Sequence, residues 1–220
     1  MKTAIADIDF QRQQLETCLH LFNPQLTYHQ KGFESLLSEF DLNQISEVHC
    51  EPLIVKSGSQ VVISTTLALS APFQPCLRST NNLDQFKAWI GLPNSLFEQG
   101  VFSFTKELPS KPWMPKAVSD TSSLSPAERE DIQRASYAYI FGNSKLVDGY
   151  KQVIEKLHAP FEVAVCAIEK VIIEAGGSLI IQGSRPAVLI FGELEIIEGG
   201  NIKIYAPTNM TVQKLHKISN

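Results

Sequence analysis

The spacing of apolar positions changes along the chain and divides it into helical and extended stretches. Near the start, Phe10, Leu15, Leu19 and Phe22 fall roughly on one helical face, with Asp7 or Asp9 placed to cap it and Asn23-Pro24 to end it. A short second helix is predicted from Phe33 to Phe40, with Leu36, Leu37 and Phe40 as its buried stripe. From Val48 the period drops to two and β-branched residues take over. Leu53, Val55, Val61, Ile63, Leu67 and Leu69 predict strand, broken at Lys56-Ser57-Gly58-Ser59. Asn82 is placed to cap a helix running from Leu83 to Ile90, stopped by Gly91 and Pro93. Residues 101–108 read as a further strand. Pro109, Pro112 and Pro115 then recur every third residue, which suits a polyproline II connector; with Trp113 as an anchor, the same spacing would also fit an SH3-type groove. Ser125-Pro126-Ala127-Glu128 forms a capping box with proline at the first helical position, so a helix should run to about Phe141 and stop at Gly142-Asn143. Leu146, Val147, Tyr150, Val153, Ile154 and Leu157 continue at spacings of three and four and predict another helix, ending at His158-Ala159-Pro160.

The final sixty residues carry an internal echo. With Gly176-Gly177 set against Gly199-Gly200, an offset of 23 residues, Val171 meets Leu194, Ile173 meets Ile196, Leu179 meets Ile202, Ile181 meets Ile204 and Leu189 meets Val212. All five pairs are aliphatic, whereas Ile172 against Glu195, Ile180 against Lys203 and Ile190 against Gln213 do not match. One face is thus held constant while the other varies. Leu53, Val55, Val61 and Ile63 stand at the same offsets from Gly58. The pattern resembles the coils of right-handed parallel β-helix proteins, and that resemblance implies a sheet that begins near residue 50, takes a helical insertion and resumes near 161. Gly-Gly between alternating apolar runs is also a hairpin signal, which leaves an antiparallel β meander as the alternative. The strict hexapeptide and calcium-binding nonapeptide repeats are absent, so the resemblance carries no activity with it.

The expected fold class is therefore α+β: helical segments plus a β-solenoid-like (parallel β-helix) C-terminal sheet. A helical segment at 1–47 precedes a β-rich segment with one helix at 48–108 and a proline-rich connector at 109–124. A helical pair at 125–160 and the solenoid-like region at 161–220 follow, the last placed to share one sheet with 48–72. Ile172, Ile180 and Ile190 are too apolar for open water and should be covered by the helices of 125–158 or by a second copy of the chain. The last strand, from Met210 to Ile218, should be a sheet edge guarded by Lys214, His216 and Lys217.

Composition narrows the function classes. A net charge of −4, without any run of five Lys or Arg, gives no support for nucleic acid or an anionic membrane surface as partner. No stretch of 18 apolar residues is present, so no transmembrane segment is expected, and the first residues lack the hydrophobic core of a signal peptide. The four cysteines, Cys18, Cys50, Cys76 and Cys166, form no CxxC pair and read as free thiols in a reducing compartment. The expected location is cytoplasmic or leaderless secreted.

Candidate chemistry is sparse. The dinucleotide and phosphate-loop fingerprints, HExxH, the EF-hand loop and GxSxG are all missing. Glu193 and Glu195 alternate along one strand, about 6.6–7 Å apart, a separation at which paired carboxylates can cleave a glycosidic bond; solvated strand acids paired with residues such as Lys203 are the plainer reading. Glu174 and Glu198 lie nearby in the same scheme. In His49-Cys50-Glu51, His49 and Glu51 could converge on one face while Cys50 turns inward, although no second ligand pair accompanies them. Cys18 and His20 are two apart on a helix and do not face each other. Trp113, Tyr137, Tyr139 and Tyr150, with Phe141, would line an aromatic ligand-binding surface or pack helix against sheet. No metal site is expected and no cofactor is indicated. These features lead to a soluble binding or assembly protein presenting an extended sheet to a protein partner or glycan, and a homo-oligomer fits the uncovered apolar face. The alternative is a carbohydrate-active enzyme using Glu193 and Glu195, or a small-molecule enzyme centred on His49.

Overall fold

A computed structural model describes residues 33–42, 48–66, 73–114 and 121–219. The helix expected around Phe10 to Phe22, with Cys18 and His20, lies outside them, as do Leu67, Leu69 and Pro115. Two compact units are present: one takes the chain up to Arg78 and from Val163 onward, the other Ser79–Glu162.

The first unit is built on strands. Helix α1 (Phe33–Glu39) buries Leu36 and Leu37 and packs against β7 (Ala187–Ile197). A six-stranded sheet runs in the order β1 (Val48–His49), β5 (Phe161–Ile173), β7, β9 (Thr208–Ile218), and β2 (Leu53–Val55) and β4 (Cys76–Thr80) also pair with β5. A second sheet has the order β3 (Gln60–Ser64), β6 (Ser178–Gln182), β8 (Asn201–Ile204). Strands β1 and β2 lie parallel to β5, β5 to β7, β7 to β9, β3 to β6, and β6 to β8.

The expected solenoid is thereby corrected. The two parallel sheets are separate and neither is closed, and parallel pairing excludes the antiparallel meander as well. The 23-residue echo fixes which residues sit side by side across a ladder, as Val171↔Leu194 and Leu179↔Ile202 do, and open sheets satisfy that condition fully. Each Gly-Gly joins a strand of the large sheet to one of the small sheet, so it makes a change of sheet and not a hairpin. The description α+β fits only loosely, because strands grouped away from the helices are more often antiparallel.

The register also corrects one row. Leu189 pairs with Met210, and Val212 pairs with Phe191, an offset of 21. The ladders skip Glu169, Gly192 and Gln213, and the core-facing positions change parity there, from Cys166 and Ile168 to Val171 and Ile173. A Cβ on Gly192 would stand 2.6 Å from the Glu169 carbonyl oxygen, so the backbones meet too closely for any side chain at this row. Inside lies a shared apolar core that includes Val55, Ile63, Ile168, Val171, Leu179, Ile181, Leu189, Phe191 and Leu194. Of the outward isoleucines, Ile180 and Ile190 are buried and Ile172 is half-buried.

The second unit is helical. The Asn82 side chain accepts from the backbone N–H groups of Asp84 and Gln85 and starts α2 (Leu83–Ile90); α3 (Asn94–Glu98) follows Pro93. The predicted strand over 101–108 does not form. Val101 and Phe102 instead donate to the Leu96 carbonyl, and Phe104 packs on Tyr137, so the apolar alternation there serves helix packing and not a ladder. Helix α4 (Pro126–Phe141) opens on the predicted capping box and ends at Gly142. The expected last helix is divided: a 3₁₀ stretch (Ser144–Tyr150), with Val147 out of helical geometry, precedes α5 (Lys151–His158). No helix among the described residues is long and apolar enough to cross a membrane.

Candidate functional site

Beyond the skipped row, the outer face of the large sheet carries a ladder of charge. Lys170 of β5 pairs across with Glu193, and Glu193 with Lys214 of β9; Ile172, Glu195 and His216 form the next outward row. Lys170 Nζ lies 3.4 Å from Glu193 Oε2 and 3.7 Å from Glu195 Oε2, while His216 Nε2 lies 3.3 Å from Glu193 Oε1. The two sequence-predicted carboxylates are thus brought together and share one ammonium group. Lys203, the partner suggested for them, stands instead beside Ile180 in the smaller sheet. Glu174 accepts a hydrogen bond from the Ser57 N–H at 2.9 Å, in the turn region.

His49 stands on β1 beside Ile168 and sets its ring edge-on to Phe73, with centroids 4.7 Å apart. Glu51 is exposed beyond the end of that strand, and neither residue is joined to Glu193 or Glu195. Among the described residues no group of three His, Cys, Asp or Glu is placed to hold a metal ion.

The aromatic candidates divide. Trp113 and Tyr150 meet with ring centroids 5.6 Å apart, and the Tyr150 hydroxyl donates to the Lys111 carbonyl. Tyr137 sits between Phe104 and Phe141. Tyr139 is buried on α4 and donates its hydroxyl to Asp84. The stretch bearing Pro109 and Pro112 is tied down by Asp131, which accepts from both the N–H and the hydroxyl of Ser110 at 2.7 Å. Those bonds, the backbone N–H first, hold the Asp131 carboxyl below its ordinary range.

The helical unit also holds an open cleft of about 310 Å³, lined in part by Asp84, Lys87, Asn94 and Ser144. Its polar groups are already engaged. Lys87 is 8% exposed and donates to the carbonyls of Tyr139 (2.7 Å) and Gly142 (2.6 Å), satisfying the C-terminal end of α4. Asp84 accepts from Lys151 and Tyr139, and those bonds, the Lys151 one first, lower its pKa against a smaller opposing desolvation. Asn94 exchanges hydrogen bonds with Ser144. The arrangement is a structural joint. Nothing in the local sequence marks Lys87, because its acceptors lie more than fifty residues away.

Burial lowers the Lys87 pKa to about 8 against the opposing pull of Asp84, while the unfolded chain keeps the ordinary 10.5. Below about pH 8 both states are protonated and the burial penalty is fully present. Between about 8 and 10.5 the unfolded state holds the extra proton, so this residue makes stability rise with pH. The neutral amine still has two N–H groups for its two carbonyls. Urea unfolding from about pH 7 to about pH 9.5 should therefore show wild type gaining stability relative to Lys87→Met. A difference that stays flat or shrinks contradicts the assignment.

Compared with known proteins, this chain matches no protein-family model, no curated protein and no solved structure.

Proposed function

We propose that the protein is a non-catalytic binding or assembly protein that presents the β5–β7–β9 surface to a protein partner or a glycan. The observation that carries this reading is the charge ladder. Glu193 and Glu195 share Lys170, and Glu193 also meets His216, on the outer face of a sheet. General acid–base work on a glycosidic bond calls for two carboxyls kept in different protonation states by different surroundings. Here the two are held by the same cation. The His49 ring is set on Phe73, and among the described residues no hydrogen bond or ion pair joins it to a carboxylate that would orient it as a base.

Exchanging outer-face residues tests the reading. Glu193→Gln with Glu195→Gln should cost less than about 1 kcal/mol of stability, because partly exposed ion pairs contribute little. Binding should respond far more strongly. A peptide and glycan array probed with wild type and with Lys170→Ala, Glu195→Gln and His216→Ala variants should lose its positive signals in the variants. Ligands that bind all of them equally contradict the proposal.

A further inference from the structure

Among the described residues the large sheet ends at β9, and the smaller sheet ends on the corresponding side at β8. The inward rows of the core therefore run out at these strands. Val171 and Leu194 are buried, yet Leu215, next in that row, is 49% exposed. Met210 and Val212, which continue the rows of Leu189 and Phe191, are half-buried, and Tyr205 and Ile218 are 51% and 41% exposed. An unpaired parallel strand beside an uncovered apolar row is a receptor for strand addition.

The charges select the occupant. Lys170, Glu193 and Lys214 alternate in sign across three strands, so the next strand should bring an acid to the outer side of Lys214. Among the described residues neither Lys214 nor Lys217 has an ion pair. Lys217 follows Ile173 and Ile196 in an inward row, where a cation repels a basic strand and would be desolvated without compensation under a neutral one. A second copy offering the same edge brings no compensation, since residues 208–218 contain neither Asp nor Glu. The basic edge is therefore closed to its own kind and open to an acidic segment.

On the reading of the protein as a binding module, we propose that β9 captures an extended acidic segment of a protein partner as an added strand. Its acids would face Lys214, His216 and Lys217, and an apolar side chain would cover Leu215.

The test uses a fluorescent synthetic peptide of about ten residues, long enough for one strand, carrying the run Glu-Leu-Glu-Glu to face Lys214, Leu215, His216 and Lys217, with Val and Leu on either side. Controls are the same peptide with Gln for each Glu and a Lys214→Glu/Lys217→Glu variant of the full chain. Wild type should bind the acidic peptide, bind the Gln peptide at least about tenfold more weakly, and lose affinity as salt rises. The charge-reversed variant should lose at least about tenfold for the acidic peptide. The two-peptide comparison on wild type stands even if the variant folds poorly. Equal affinity for both peptides, or no binding of either, overturns the acidic-strand proposal. The array signals that depend on Lys170 and His216 remain a separate test of the broader reading. Wild-type self-association in sedimentation that the charge reversal abolishes assigns the edge to a second copy and likewise overturns it.

Discussion

Phe191→Ala should remove about 3–5 kcal/mol from the stability of the strand-built unit. Phe191 is 0% exposed, lies between Ile168 and Val212 in the ladder, and belongs to the core shared by the two sheets. Truncation deletes most of a ring from a close-packed interior and leaves a cavity lined by aliphatic groups that belong to long ladders. Those groups cannot collapse without shifting register, so the cavity term persists on top of the lost transfer energy. Single domains have about 5–15 kcal/mol in total, so the loss should bring urea unfolding of this unit to much lower denaturant. A shift worth less than about 1 kcal/mol would mean that the two sheets do not share this core.

Gly183→Ala should cost about 3 kcal/mol, and Gly58→Ala much less. Gly183 has φ +138°, and a Cβ there would lie 2.2 Å from the Thr65 hydroxyl oxygen and 2.9 Å from the Thr65 nitrogen. That hydroxyl is not free to retreat. Thr65 is buried, its oxygen accepts the Arg185 N–H at 3.1 Å, and its own N–H donates to the Gln182 carbonyl at 2.8 Å. At Gly58, φ is +69° and nothing lies within 4 Å of the added carbon, so only the left-handed backbone cost of about 1–2 kcal/mol applies. Thermal unfolding of the two variants side by side separates steric from conformational cost. Equal losses would contradict the packing described at Thr65.

Local features were legible where their cause was local. Asn82 and the Ser125–Glu128 box bond to backbone groups two or three residues away, so their types alone reveal the helix starts. The rows Leu53↔Val171 and Val61↔Leu179 could be read because a parallel ladder leaves matching residues at a fixed offset from a turn glycine. The pairing Lys170↔Glu193 has that same offset and was accessible in principle. What depended on chain length between strands was lost: the loop leading to β9 is shorter by two residues, which moved Leu189 onto Met210 and placed His216 beside Glu195. Closure was not legible either, since register says nothing about whether sheets join. Residues 101–108 show the reverse failure. Their alternation is real, but the partners of Val101, Phe102 and Phe104 are Leu96 and Tyr137 in a helical unit. The function of Lys87 was hidden for the same reason of distance.

Strand addition at β9 is read out residue by residue by hydrogen exchange of the full chain with and without the acidic peptide. In the free protein the amides of Thr208–Ile218 that point away from β7 should exchange quickly, as befits an edge strand, and they should gain protection in the bound state. Protection that appears instead around Asp84, Lys87 and Ser144, with β9 unchanged, would place binding in the helical cleft and contradict strand addition.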